Sequence, residues 1–172
     1  RPNIWYTFPG AYIVYRPSWM PSWLRSIEPG INLYMYHGVS DGAFQESLIE
    51  LFPIYLVMQD GGIIFTSLEL NKQQLTAPFS LPTQENISIG SYSYNRVTLN
   101  YSSDQSAWLS GTAKISAGGY FDGTLHTLDT RLRYAPLPNI SVSVNYLWNE
   151  FYGVGGASNY NNTHLLAPEI RL

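Results

Sequence analysis

The feature that most constrains this chain is the alternation of side chains over residues 140–149. Apolar and aromatic side chains occupy the even positions: Ile140, Val142, Val144, Tyr146 and Trp148. Small polar side chains occupy most odd positions, with Leu147 as the exception: Ser141, Ser143, Asn145 and Asn149. Successive side chains of a β-strand point to opposite faces, whereas a helix would scatter both sets around its axis. This segment is therefore predicted to be a strand with one apolar and one polar face.

The same alternation recurs along the chain between Gly and Pro breaks. About nine strands are predicted, covering residues 4–15, 30–36, 46–58, 63–71, 87–101, 108–117, 125–134, 140–149 and 163–172. The pattern of 87–101 slips between Ser93 and Arg96, which predicts a β-bulge there. Helix signals are nearly absent, so the chain is predicted to be all-β, an antiparallel up-and-down meander.

The connections between these strands differ in length. Residues 59–62, 102–106 and 135–139 are tight, whereas 37–45, 72–86, 118–123 and 152–162 are on the whole longer. Alternate connections of a meander emerge at opposite ends, and short turns at one end with long loops at the other are typical of an outer-membrane barrel. The connection 16–29 is long where a short turn is expected. The short turns are predicted to be periplasmic and the long loops to lie at the cell surface.

Composition excludes several classes of protein. Only 12% of the 172 residues are charged and the formal net charge is −3, which gives no electrostatic signature of nucleic-acid binding. The polarity comes from neutral side chains, which argues against a charge-rich disordered chain. The absence of cysteine excludes disulfides, thiolate metal sites and a cysteine nucleophile.

Two architectures share this strand pattern, a membrane barrel and a secreted β-sandwich. Predicted strands of up to 14 residues or so exceed the usual 5–6 of soluble sheets and suit a tilted transmembrane strand. Aromatic residues near strand ends suit the interfacial girdles of a barrel: Tyr34, Tyr36, Trp108, Tyr134, Tyr146 and Trp148. The alternative, a carbohydrate-binding or glycan-hydrolysing sandwich, uses such aromatic residues in its core.

A barrel assigns the two faces of each strand. An Arg on the lipid face costs roughly 2–4 kcal/mol at mid-bilayer, so charged side chains belong in the lumen or near an interface. The predicted lumen-facing residues share a polar face: Asp129, Arg131, Arg133, Ser141, Ser143 and Asn145. The predicted lipid-facing or interfacial residues share the apolar one: Tyr134, Val142, Val144, Tyr146 and Trp148.

Catalytic and metal-binding patterns are missing from the sequence. His37, His126 and His164 lie on separate segments, and no motif joins them into a metal site. Glu46 and Glu50 lie on one strand face, where lumen-facing structural roles are expected rather than a glycosidase pair. No nucleophile elbow or phosphate-binding glycine loop occurs. Trp5, Trp19 and Trp23 suit a membrane interface or stacking on sugars. We predict no enzyme activity and no cofactor or metal.

Several short stretches, in order, carry a family resemblance over roughly the last 140 residues. They are Gln74–Phe79, Ile87–Tyr94, Ser103–Ser106, Gly118–Gly123, the Pro136–Asn139 turn with its Ser-Val-Ser-Val strand, and His164–Leu166 with Arg171–Leu172. Together they resemble the C-terminal region of a family of bacterial envelope proteins, chiefly from Bacteroidota, of unknown function (domain of unknown function 5916). That family joins an N-terminal module, similar to carbohydrate-binding family 9, to an outer-membrane β-barrel.

The resemblance implies a bacterial outer-membrane location with the lipid bilayer as the main partner. Residues 1–172 would be a partial barrel domain, a fragment without the N-terminal module and the closing strands. The implied role is a membrane anchor with a pore or a docking surface for envelope proteins. Glycan binding would come through the missing module.

Overall fold

The computed structural model describes residues 4–81, 86–156 and 160–171, which are folded as β-structure. The strands are β1 (Ile4–Thr7), β2 (Gly10–Tyr12), β3 (Leu24–Ile27), β4 (Gly30–Gly38), β5 (Phe44–Met58), β6 (Ile63–Leu75), β7 (Phe79–Ser80), β8 (Asn86–Ile87), β9 (Gly90–Ser102), β10 (Leu109–Tyr120), β11 (Gly123–Leu137), β12 (Ile140–Tyr152) and β13 (Tyr160–Arg171). One 3₁₀ turn, Val154–Gly156, follows β12.

One large antiparallel sheet contains most of these strands. Its main path runs β1-β4-β5-β6-β9-β10-β11-β12-β13, while β2 also pairs with β4 and β3 with β5. Neighbours on this path are mostly consecutive along the chain, so the prediction of an all-β antiparallel meander is confirmed. Among the residues described, no hydrogen-bonded pairing joins β1 to β13.

The sheet has two distinct ends. The strands β4, β6, β10 and β12 end at what we call the loop end, where the described connecting residues include 39–43, 76–81, 121–122 and 153–156. The connections 59–62, 103–108 and 138–139 lie at the opposite, turn end. In the turn 103–108 the hydroxyl and the backbone N–H of Ser106 donate to Asp104 Oδ1 at 2.7 and 2.8 Å, and these bonds lower the pKa of the Asp104 carboxyl.

The first predicted strand, 4–15, is divided in the structure. β1 pairs with the second half of β4 and β2 with the first half, and Pro9 lies between them. Proline has no N–H to donate to a ladder, which interrupts the strand. The unpredicted β3 lies within the long connection 16–29 and pairs with the turn end of β5.

The predicted bulge between Ser93 and Arg96 is wrong. β9 pairs with β6 without a register shift from Ile63↔Ser102 to Leu75↔Gly90. The sequence pattern slips because the face of β9 that carries Val97 becomes polar from Asn95 towards the loop end, not because the backbone is displaced. Register shifts are observed elsewhere in the sheet, between Leu24 and Ser26, Tyr36 and His37, Leu51 and Ile54, and Tyr134 and Leu137. The last two intervals contain a proline, at positions 53 and 136.

The connection 118–123, predicted to be long, is a turn of two residues. β10 continues to Tyr120 and β11 begins at Gly123. Gly118 lies inside β10 with φ 145°, and a Cβ there would meet the backbone of Asn95. Phe121, the first turn residue, has φ 54°, a conformation that tight hairpins usually assign to Gly, Asn or Asp.

A small apolar core lies at the loop end of the sheet. Its fully buried members are Leu81, Ile87, Leu125, Phe151 and Val154. The two-stranded sheet β7–β8 contributes through its flanks, and Ile87 has no exposed surface. Most large apolar side chains of the sheet lie outside this core, on the faces of the sheet itself.

Candidate functional site

The two faces of the large sheet differ in an unusual way, because the polar face is buried and the apolar face is exposed. Along β9, Thr98 is 1% exposed, whereas its neighbours Val97 and Leu99 are 54% and 44% exposed. Along β12, Ser143 is 5% exposed, whereas Val142 and Val144 are each 39% exposed. Soluble proteins normally place the apolar face inside.

Long side chains cover the short hydroxyl residues of the polar face. Arg96 Nη2 donates to Ser116 Oγ at 2.7 Å and to Thr127 Oγ1 at 3.4 Å. Thr98 Oγ1 donates to Glu69 Oε1 at 2.9 Å. These bonds cross three strand interfaces, so the polar face is a connected network rather than a set of separate solvated side chains.

The exposed side chains of the opposite face form a continuous strip, here called the apolar band. Its members are the exposed large side chains that share this face across the sheet: Ile31, Ile54, Leu68, Leu70, Val97, Leu99, Tyr101, Leu109, Ile115, Leu132, Tyr134, Leu137, Ile140, Val142, Val144, Leu166 and Ile170. Contiguous exposed apolar surface on this scale marks a contact with a partner or a membrane.

The apolar band has a boundary on each side. Towards the loop end the same face becomes polar on β6, β9, β11, β12 and β13: Lys72 and Gln74, Ser93 and Asn95, Thr124 and His126, Glu150, and Asn162. Towards the turn end the boundary is aromatic. Trp108 and Tyr134 pack edge to face with ring centroids 5.7 Å apart, and Tyr101 is also exposed there.

The loop-end boundary runs obliquely across the strands. Trp148, the last apolar residue of β12 before Glu150, shares its ladder row with Leu128, Ile115, Leu99 and Thr66. On β6, however, apolar side chains continue four residues past Thr66, to Leu70. With about 3.3 Å per residue and 4.8 Å per strand over the four intervals from β6 to β12, the strands are inclined by about 35° to the normal of the band.

The structure places the predicted polar-face residues together. Arg131 is the ladder partner of Asn145, and Arg133 that of Ser143. Arg131 also contacts Glu169 at 3.4 Å, and Glu169 in turn pairs with Arg171 at 2.7 Å.

Asp129 and Ser141 share the polar face. Leu147, the exception in the alternation, lies there too, opposite Asp129 and Leu165. The partners of Leu147 therefore include another apolar side chain.

The residues predicted to be lipid-facing or interfacial lie on the face that carries the apolar band. Tyr134 is the ladder partner of Val142, and Val144 that of Pro168. Tyr146 and Trp148 are half-buried near the loop-end boundary. The Tyr146 hydroxyl lies 2.9 Å from His164 Nδ1.

Sequence reasoning missed a cavity on the polar face. It has a volume of about 300 Å³ and is lined by side chains from β6, β9, β10 and β11: Glu69, Asn71, Tyr94, Arg96, Lys114, Ser116, Tyr120, Thr127 and Asp129. Of these, only Asp129 was predicted as a site residue. The alternation in their strands indicated that Arg96 and Lys114 lie on the polar face. The register that brings them together depends on the pairing between strands, which the alternation does not show.

Four charged side chains of this cavity do not pair with one another. Glu69 and Arg96 are ladder partners, as are Lys114 and Asp129. The ion pairs within 4.0 Å in the described part of the chain are those of His126 with Glu150 and of Glu169 with Arg131 and Arg171. The cavity therefore holds two cations and two carboxylates outside direct ion pairs.

An aromatic cluster closes the cavity towards the loop end. Tyr94 and Tyr120 pack with ring centroids 6.2 Å apart, and Phe121 contacts Tyr120 at 4.8 Å and Tyr92 at 5.2 Å. The Tyr94 hydroxyl donates to Gln73 Oε1 at 2.9 Å. The positive φ of Phe121 is unfavourable for an aromatic residue. Its ring contacts within the cluster stabilise this turn conformation.

The three histidines lie on separate strands, β4, β11 and β13. Within residues 4–81, 86–156 and 160–171, no group of three His, Asp or Glu side chains could hold a metal ion. No helix in the same residues is long and apolar enough to cross a membrane. Trp5 stacks on His37 at the loop end, whereas the backbone carbonyl of Trp23 accepts from Gln59 N at the turn end. The three tryptophans therefore do not form one stacking platform.

Comparison of the chain with protein-family models, curated proteins and solved structures finds no match.

Proposed function

We propose that this chain forms part of the wall of an antiparallel β-barrel in a bacterial outer membrane. The apolar band contacts lipid and the polar face lines the lumen. The observation that carries the proposal is the inverted burial of the sheet, with buried Ser143 and Thr98 on one face and exposed Val144 and Leu99 on the other. Bilayer contact would stabilise each half-exposed Leu, Ile or Val by roughly 1 kcal/mol.

The shape of the apolar band supports a membrane rather than a protein partner. An inclination of about 35° between the strands and the normal of the band falls in the range of barrel strands, which tilt by roughly 35–45° from the barrel axis. The aromatic boundary at the turn end matches an interfacial girdle. β9 and β12 each have 13 residues, more than the 9–11 or so that a tilted crossing needs. The excess lies at the loop end, beyond the apolar band.

A β-sandwich would cover the apolar band with a second sheet. In the residues described, the second sheet is the two-stranded β7–β8, which belongs to the loop-end core. The apolar band itself stays exposed, which favours the barrel over the sandwich.

Backbone groups in lipid need hydrogen-bond partners, so both edges of the sheet must be covered in a membrane. The barrel proposal therefore requires further strands, from the same polypeptide or from a partner, beside β1 and β13. The family resemblance supports the same assignment. We propose membership of that envelope-protein family, a non-enzymatic role as anchor with a pore or docking surface, and glycan binding through the family's N-terminal module.

Heat-modifiable migration tests the barrel. We expect the natural protein to sediment with outer membranes and resist extraction at alkaline pH. Its unboiled form should migrate differently from its boiled form in detergent gels, because a closed ladder of strands resists detergent until heated. Release by alkaline extraction together with identical migration of both forms would contradict the proposal.

A further inference from the structure

The charges of the polar-face cavity are arranged in an order that favours one class of ligand. Across four neighbouring strands the side chains run Glu69, Arg96, Lys114 and Asp129, so two cations lie between two carboxylates. A purely anionic solute would be attracted by the cations and repelled by the carboxylates. A purely cationic solute would be attracted by the carboxylates and repelled by the cations. A solute with both charges satisfies both pairs.

Several polar atoms of the cavity side chains have no hydrogen-bond partner among the residues that the structure describes and are available to a ligand. Arg96 uses Nη2 for Ser116 and Thr127, and its other donors have no hydrogen-bond partner within the described residues. Lys114 and Asp129 form no side-chain hydrogen bond in the same part of the chain. Asn71 Nδ2 is buried without a hydrogen-bond partner and adds an unsatisfied donor to the wall. Buried donors are normally paired, so this one is available to an acceptor bound in the cavity.

The dimensions restrict the ligand further. A volume of about 300 Å³ is at the small end of ligand pockets. Gly118 is the ladder partner of Arg96, and Lys114 lies four residues from Gly118 on the same strand. The backbone positions of the Glu69–Arg96 pair and of the Lys114–Asp129 pair are therefore about 13 Å apart along the strands. The side chains of both pairs nevertheless line the same cavity, and Tyr94 and Tyr120 wall its loop end.

We propose that this cavity binds a small zwitterionic solute of amino-acid or dipeptide size. Arg96, Lys114 and Asn71 hold its carboxylate, and Glu69 and Asp129 hold its ammonium group. The inference goes beyond the barrel proposal and does not depend on it, because the cavity lies within the sheet's polar face whatever covers the apolar band.

Equilibrium dialysis of the full chain in detergent micelles tests this site with three solutes of similar size. Glycylglycine carries both charges, N-acetylglycine only the negative one and glycinamide only the positive one. We expect saturable binding of glycylglycine, about tenfold or more tighter than either singly charged solute. Equal binding of all three, or no saturable binding of glycylglycine, would overturn the proposal.

Matched variants separate recognition from general damage. Lys114→Met and Asp129→Asn should each weaken glycylglycine binding about tenfold, whereas Arg133→Met, which removes a cation from the same face outside this cavity, should leave it within about twofold. Asp129→Asn should also reduce the preference for glycylglycine over N-acetylglycine, since the lost group recognises the ammonium. Equal effects of Lys114→Met and Arg133→Met would refute the site. Detergent binding needs no bilayer, so a failure of the barrel proposal would be seen separately, in the gel and extraction experiments.

Discussion

Val144→Arg is expected to abolish stable insertion of the chain into the outer membrane, whereas Ser143→Arg is expected to leave most of it intact. Val144 lies on the apolar band, between Leu132 and Pro168 on the neighbouring strands. An Arg at that position would have to enter the bilayer, at a cost of about 2–4 kcal/mol near the midplane. Ser143 lies one residue away on the polar face, where the Glu169 carboxylate is 3.4 Å from its hydroxyl. A new guanidinium there would face the lumen, beside a carboxylate that Arg131 and Arg171 also contact.

The comparison needs a control for crowding, since both positions contact neighbouring strands. Val144→Ile adds bulk without charge and should insert like the natural chain. Insertion is measured as the heat-modifiable fraction in purified outer membranes. Equal tolerance of Arg at positions 143 and 144 would show that the apolar band is not in lipid. Greater damage from Ser143→Arg would reverse the assignment of the two faces.

A single cysteine at the loop end should react with a polymer-linked, impermeant maleimide on intact cells, and one at the turn end should not. The chain contains no cysteine, so each variant has one reactive group. Ser40 lies exposed in the loop-end connection 39–43, and Asn139 lies exposed in the turn-end connection 138–139. Outer-membrane barrels have short periplasmic turns and longer extracellular loops. We expect Ser40→Cys to label roughly tenfold more than Asn139→Cys.

Permeabilised cells supply the control for this orientation, because both cysteines should then react equally. Labelling of Asn139→Cys but not Ser40→Cys on intact cells would invert the orientation. Equal labelling of both on intact cells would contradict a membrane between the two ends. The predicted surface loop 152–162 offers further positions, although residues 157–159 lie outside the described part of the chain.

The strand faces were predictable from sequence because their period of two is local. Ser143 and Val144 show the alternation directly, and their burial follows the same order. The misread segment was Ser93 to Arg96, where one face of β9 changes from apolar to polar with position along the strand. A strand face that changes from apolar to polar and a bulge that shifts the register both break the alternation in the sequence. Only pairing with β6 distinguishes them.

The polar-face cavity was not predictable, for a different reason. Glu69 and Asp129 are 60 positions apart and meet only through the register of four strands. Period two specifies which face a side chain takes, but not which residues of neighbouring strands lie beside it. The conformation of Phe121 was also hidden, since its aromatic partners come from other strands. Pro9, by contrast, marked the division of the first strand in the sequence itself.

Nitroxide scanning of β12 tests the central claim most directly, because it measures what each face contacts. Spin labels at positions 141 to 145 would be placed one at a time in the full chain, reconstituted in lipid vesicles. Collisions with oxygen report lipid, and collisions with a water-soluble nickel chelate report water. We predict that the ratio of oxygen to nickel accessibility alternates with a period of two. It should be high at Val142 and Val144 and low at Ser141, Ser143 and Asn145. A ratio that alternates in the opposite sense, or that is the same at all five positions, would contradict the account.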